Sequence, residues 1–71
     1  MTRKRVVKLV HEGQYAAEVE VEMIYDDDGW SPYLSLDDAL RLDEARSALR
    51  QGDLELATRI GRVYELVPLT A

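Results

Sequence analysis

Two stretches near the start of the chain alternate apolar with polar residues, and a longer one further on repeats its apolar residues at helical spacing. Residues 4–10 and 15–24 are rich in valine and alternate, the pattern of strands covered on one side. Glu12-Gly13-Gln14 lies between them, with Gly13 suited to a positive φ, so the two stretches are expected to form a hairpin. A register centred on that turn sets Val10 against Tyr15, Lys8 against Ala17 and Val6 against Val19. It also sets Arg5 against Glu20 and Arg3 against Glu22, two opposite-charge pairs that support it. Val6, Val10, Tyr15, Ala17, Val19, Val21 and Met23 then share one face, and Glu18, Glu20 and Glu22 share the other. The expected hairpin is apolar inward and acidic outward.

Asp26-Asp27-Asp28-Gly29 ends the second strand as a polar turn. Trp30-Ser31-Pro32-Tyr33-Leu34 is expected to run extended, because Pro32 biases Ser31 away from helix. Ser35 is a good N-cap with Asp38 three residues on, and Leu36, Ala39, Leu40, Leu42, Ala45, Ala48 and Leu49 mark an amphipathic helix to Gln51. Gly52 stops it, and Asp53 caps a short second helix carrying Leu54, Leu56, Ala57 and Ile60, which ends at Gly61. Residues 62–67 read as a third strand before Pro68. The order ββααβ predicts one α+β domain over residues 1–71, a three-stranded antiparallel sheet with both helices packed on one face.

Composition narrows the function more than the fold. The content of 46% hydrophobic and 32% charged residues is that of a globular chain. A 71-residue core is small, so self-association or folding with a partner is expected, with a homodimer as the simplest case. The absence of cysteine excludes disulfides, thiolate metal sites and cysteine nucleophiles. Val6-Val7-Lys8-Leu9-Val10 is too short and too charged for a signal peptide's apolar region, which makes the cytoplasm the expected compartment and a membrane partner unexpected.

The net charge of −5 disfavours overall attraction to phosphate backbones. Charge is uneven, however: Arg3, Lys4, Arg5 and Lys8 precede every acidic residue. Catalysis finds little support. His11 has only Glu12 close in sequence to orient it, and the consecutive Asp26-Asp27-Asp28 run lacks the alternation of a calcium loop. No phosphate-binding glycine loop is present, so the expectation is a binding protein with no catalytic residue, cofactor or metal site. The partner-binding candidates are Glu18, Glu20 and Glu22, as a charged row facing a basic protein, with Trp30 and Tyr33 as aromatic anchors.

Residues 14–68 resemble a group of short bacterial proteins associated with toxin–antitoxin gene pairs. The likeness lies in Tyr15-Ala16-Ala17-Glu18-Val19, Gly29-Trp30-Ser31-Pro32-Tyr33-Leu34-Ser35, Asp38-Ala39, Leu42-Asp43, Arg46, Ala48-Leu49-Arg50, Gly52-Asp53-Leu54 and Arg62-Val63-Tyr64. These are turns, caps and core positions. The resemblance implies an antitoxin or inhibitor that blocks a toxin, commonly an RNase, by direct contact. A second resemblance is to winged-helix DNA-binding proteins of the excisionase kind. It rests on residues 34–42, Arg50-Gln51-Gly52-Asp53-Leu54 and Arg59-Ile60-Gly61-Arg62-Val63-Tyr64, and would assign Arg3, Lys4, Arg5, Arg59 and Arg62 to DNA. Asp43, Glu44 and Glu65 depart from that pattern where phosphates would lie. A structural homo-oligomeric subunit is the third alternative.

Overall fold

The computed structural model describes every residue except Met1, Asp28, Trp30 and Ala71. Its elements run β1 (Thr2–Glu12), β2 (Tyr15–Tyr25), β3 (Tyr33–Leu34), α1 (Leu36–Gln51), α2 (Leu54–Ile60) and β4 (Arg62–Glu65). The predicted α+β class and strand–helix order are observed. The extended segment before α1 supplies an additional two-residue strand.

Gly13 and Gln14 alone join β1 to β2, with Glu12 opposite Tyr15. Gly13 carries the positive φ at the first central position of this two-residue loop, the position a type II′ turn reserves for glycine. The closing pair is therefore Glu12 with Tyr15, two residues later on β1 than the expected Val10–Tyr15 pairing and unchanged on β2. Val10 faces Ala17, Lys8 faces Val19 and Val6 faces Val21, a shift of two residues from the expected register. A two-residue shift leaves every side chain on its expected face, so the inside-outside division survives.

The helices cover one face only. Val10, Ala17, Val19 and Val21 from that face pack with Ala45, Ala48 and Leu49 of α1 and Ala57 of α2. Five of the ten buried core residues are alanines, and the largest fully buried side chains are valines. Small side chains let the helices sit close to the sheet but limit the apolar area removed from water. Leu36 and Leu40, expected in the helical stripe, stay exposed on α1. The expected caps are observed: Ser35 accepts from the Asp38 N–H, Asp53 from the Leu56 N–H, and Gly52 ends α1 in the left-handed region.

β1 pairs with the whole of β2, so β3 and β4 share β2's other edge. β4 covers residues 15–18 there and β3 covers 23–24, leaving residues 19–22 without a strand neighbour. The first turns of α1 fill this gap with side chains. Asp38 Oδ2 accepts the Glu22 backbone N–H at 2.7 Å, and Arg41 Nη1 donates to the Glu20 carbonyl at 2.9 Å. Arg41 Nη2 also donates to the Ile60 carbonyl at 3.3 Å, tying the end of α2 to the same clasp. No described helix is long and apolar enough to cross a membrane.

Candidate functional site

Among the described residues, no helix or further strand layer covers the face of the sheet away from the helices. Side-chain alternation places Arg3, Arg5, Val7, Leu9 and His11 of β1 on it, beside Ala16, Glu18, Glu20, Glu22 and Ile24 of β2. Directly paired residues share a face, so Tyr33 joins opposite Ile24, Tyr64 opposite Ala16 and Arg62 opposite Glu18. The three glutamates and Tyr33 are thus brought onto one surface. Trp30 lies outside the described residues.

This surface differs from the row of uncompensated acid that alternation on β2 alone suggests. Arg3 Nη1 lies 2.9 Å from Glu22 Oε1, and Arg5 Nη1 lies 3.0 Å from Glu20 Oε1. The register shift makes both contacts diagonal: Arg5 is directly opposite Glu22 and Arg3 opposite Ile24. Long side chains span that diagonal readily. With Arg62 across from Glu18, three arginines accompany three glutamates, and the face is a neutral mosaic.

Apolar groups fill the spaces between the charges. Val7 is 59% exposed and Leu9 is 65% exposed, and Tyr33 and Tyr64 lie exposed on β3 and β4. Reading β1 for its inward alternation passes over Val7 and Leu9. The signal for them is that apolar residues occupy both parities, Val6 and Val10 as well as Val7 and Leu9. A shallow cleft opens where the strand neighbour is missing, lined by Val7, Glu18, Glu20, Arg41, Ile60 and Arg62.

Four of the five basic residues assigned to the DNA alternative have partners within the chain. Arg3 and Arg5 hold the glutamates above, Lys4 stands 5.4 Å over the Tyr25 ring, and Arg59 pairs with Glu55 at 2.9 Å within α2. Residues 54–65 form a helix followed by a strand paired to β2, with no wing hairpin among the described residues.

His11 Nε2 lies 2.9 Å from the Gly13 carbonyl oxygen, bonded into its own turn. Among the described residues no cluster of three or more side chains is arranged to hold a metal ion, and no buried side-chain polar atom lacks a partner. The Asp38 carboxyl is held below its ordinary value, chiefly because the Glu22 N–H donates to it, with Arg41 adding to the effect. That perturbation belongs to the clasp that closes the sheet edge. Set against known protein families, characterised proteins and solved structures, the chain matches none of them.

Proposed function

We propose that this chain is a protein-binding module whose recognition surface is the bare face of its sheet. The observation that carries the reading is the exposure there of Val7, Leu9, Tyr33 and Tyr64 around the Glu18–Glu20–Glu22 row. Exposed aliphatic and aromatic side chains within a satisfied polar frame are the make-up of an interface core and its rim.

The finer proposal is an antitoxin or inhibitor that neutralises a basic cytoplasmic partner, such as a toxin RNase, by direct contact. Its support is the net charge of −5, with Asp37, Asp43, Glu44, Asp53 and Glu55 exposed on and beside the helices. Such a field draws in a cationic protein from a distance, while the neutral mosaic makes the contact. Capture of a partner from lysate, with Tyr64→Ala and Glu20→Arg compared against the unaltered chain, tests the assignment. Loss of a basic partner in both variants is expected. Unchanged capture in both, with loss in Leu36→Asp or Leu40→Asp instead, would move the site to α1 and overturn it.

A further inference from the structure

We infer that two copies of this chain join through the free edge of β1, antiparallel, with Val7 on the two-fold axis. β1 runs for 11 residues and pairs on one side only. The backbone groups of Glu20 and Glu22 reach Arg41 and Asp38 on the far edge of β2, which fixes the alternation of the ladder. Odd residues of β2 therefore bond to even residues of β1. The N–H and C=O groups of Arg3, Arg5, Val7, Leu9 and His11 point out from the sheet edge, a row that can accept another strand.

Surface area gives the second argument. The chain exposes 5369 Å², where a folded protein of 8.1 kDa is expected to expose about 4,500 Å². Its radius of gyration is 14.2 Å, against about 11 Å for a compact chain of this length. Exposed Val67 and Leu69, beyond β4, account for part of the excess. The molecule is thin, 14 Å in its shortest extent, and its sheet has β1 as an open edge. The excess of roughly 900 Å², less the share of Val67 and Leu69, is of the order that one partner contributes to a standard interface.

Charge selects the orientation and the register. Arg3, Lys4 and Arg5 crowd one end of β1 and Glu12 lies at the other, so a parallel pair would stack like charges and an antiparallel pair separates them. Because odd residues face outward, three antiparallel registers pair nine or more of the eleven positions of the strand through them. Centring on Lys8 sets it against its own copy, and centring on Val6 sets Lys4 against Lys8. Centring on Val7, the middle residue, pairs all eleven positions with no lysine or arginine opposite another. Arg5 then faces Leu9, Lys8 faces Val6, and Thr2 faces Glu12 of the second copy. Val7 and Leu9 of both copies meet in one apolar strip across the joined bare faces.

The inference is independent of any heterologous partner and is read on the purified full chain. Sedimentation equilibrium is expected to give twice 8.1 kDa at micromolar concentration. Val7→Lys should weaken self-association by more than about tenfold while the circular dichroism spectrum stays unchanged, since Val7 is already exposed. The chain has no cysteine, so a single introduced thiol reports the register. Val7→Cys is expected to cross-link on mild oxidation, its symmetry mates lying about 5.5 Å apart between Cα atoms. Leu9→Cys is not, because its mates would be more than about 13 Å apart. A monomeric unaltered chain, or cross-linking through Leu9→Cys in preference to Val7→Cys, would overturn the inference.

Discussion

Asp38 Oδ2 lies 2.7 Å from the backbone nitrogen of Glu22, on a length of sheet edge where no strand is present. With Arg41 donating to the Glu20 carbonyl, a side-chain acceptor and a side-chain donor replace the ladder partners of residues 20 and 22. Truncating Asp38 to alanine leaves a part-buried N–H without its acceptor and removes a partner of Arg41. The expected loss is about 1–3 kcal/mol in urea denaturation. Asp38→Asn keeps one acceptor oxygen and should recover part of it; equal losses in both variants would show that charge, rather than the backbone bond, is what matters.

The same carboxyl sets a pH dependence. The Glu22 N–H lowers its pKa most, and although burial acts the other way, Arg41 adds further lowering. A folded-state pKa below the unfolded one means the unfolded chain binds more protons on acidification. The contribution is therefore present above the unfolded carboxylate value of about 3.9 and is lost as pH falls through the lower folded value. Urea midpoints should drop between about pH 4 and more acidic conditions, and the drop should be shallower in Asp38→Asn.

Gly61 and Gly52 should respond differently to alanine. A Cβ at Gly61 would overlap the backbone carbonyl oxygen of Glu18, which cannot swing aside as a side-chain tip can. Gly61→Ala is expected to cost about 1–3 kcal/mol by overpacking and to loosen β4, seen as faster amide exchange at residues 62–65. Gly52 has open space around it but a φ of 76°, so Gly52→Ala bears a conformational cost of about 1–2 kcal/mol and leaves β4 protected.

How much of this was legible in the sequence depends on the range of the interaction concerned. Ser35, Asp53 and Gly52 act within one helical turn, and each does what its local pattern implies. The hairpin register missed by two because Gly13 and Gln14 suffice for the turn, where a longer loop through Glu12 had been expected; parity was preserved, so both faces were still legible. The ion pairs Arg3–Glu22 and Arg5–Glu20 follow from the alternation of charge but form diagonally across the ladder. Leu36 and Leu40 fit the helical stripe yet stay exposed, because the alanine-lined contact lies further along α1. The Asp38–Arg41 clasp has no local signature beyond a capping residue, since it exists only when α1 crosses the gap between β3 and β4.

The diagonal pairs bear directly on any charge-reversal experiment. Each is exposed and should contribute about 0.2–1 kcal/mol, measured as the coupling in a double-mutant cycle of Arg5→Ala with Glu20→Ala. Reversing Glu18, Glu20 and Glu22 together places three cations beside Arg62, Arg5 and Arg3, so the triple variant should lose stability as well as any partner. Exchanging Arg5 and Glu20 with each other preserves the pair and the net charge. That exchange should retain stability while altering capture, and a large stability loss from it would show that the pair has geometric requirements beyond charge.

Nucleic-acid binding makes the opposite demand on the same cations. Phosphate recognition needs free, convergent positive charge and weakens steeply with salt, by about 0.9 power of salt concentration per phosphate neutralised on duplex DNA. Here Arg3 and Arg5 are held by glutamates, Arg59 is held by Glu55, and Arg62 lies across from Glu18. Releasing Arg3 and Arg5 would leave the Glu20 and Glu22 carboxylates facing the phosphates. Gel-shift titration of the unaltered chain should show no salt-sensitive shift near physiological ionic strength. Glu20→Gln with Glu22→Gln, which frees both arginines, should bind duplex DNA more tightly than the unaltered chain. A strong shift by the unaltered chain that is lost in Arg59→Ala with Arg62→Ala would instead place α2 and β4 on DNA, and would sink the protein-binding assignment of the bare face.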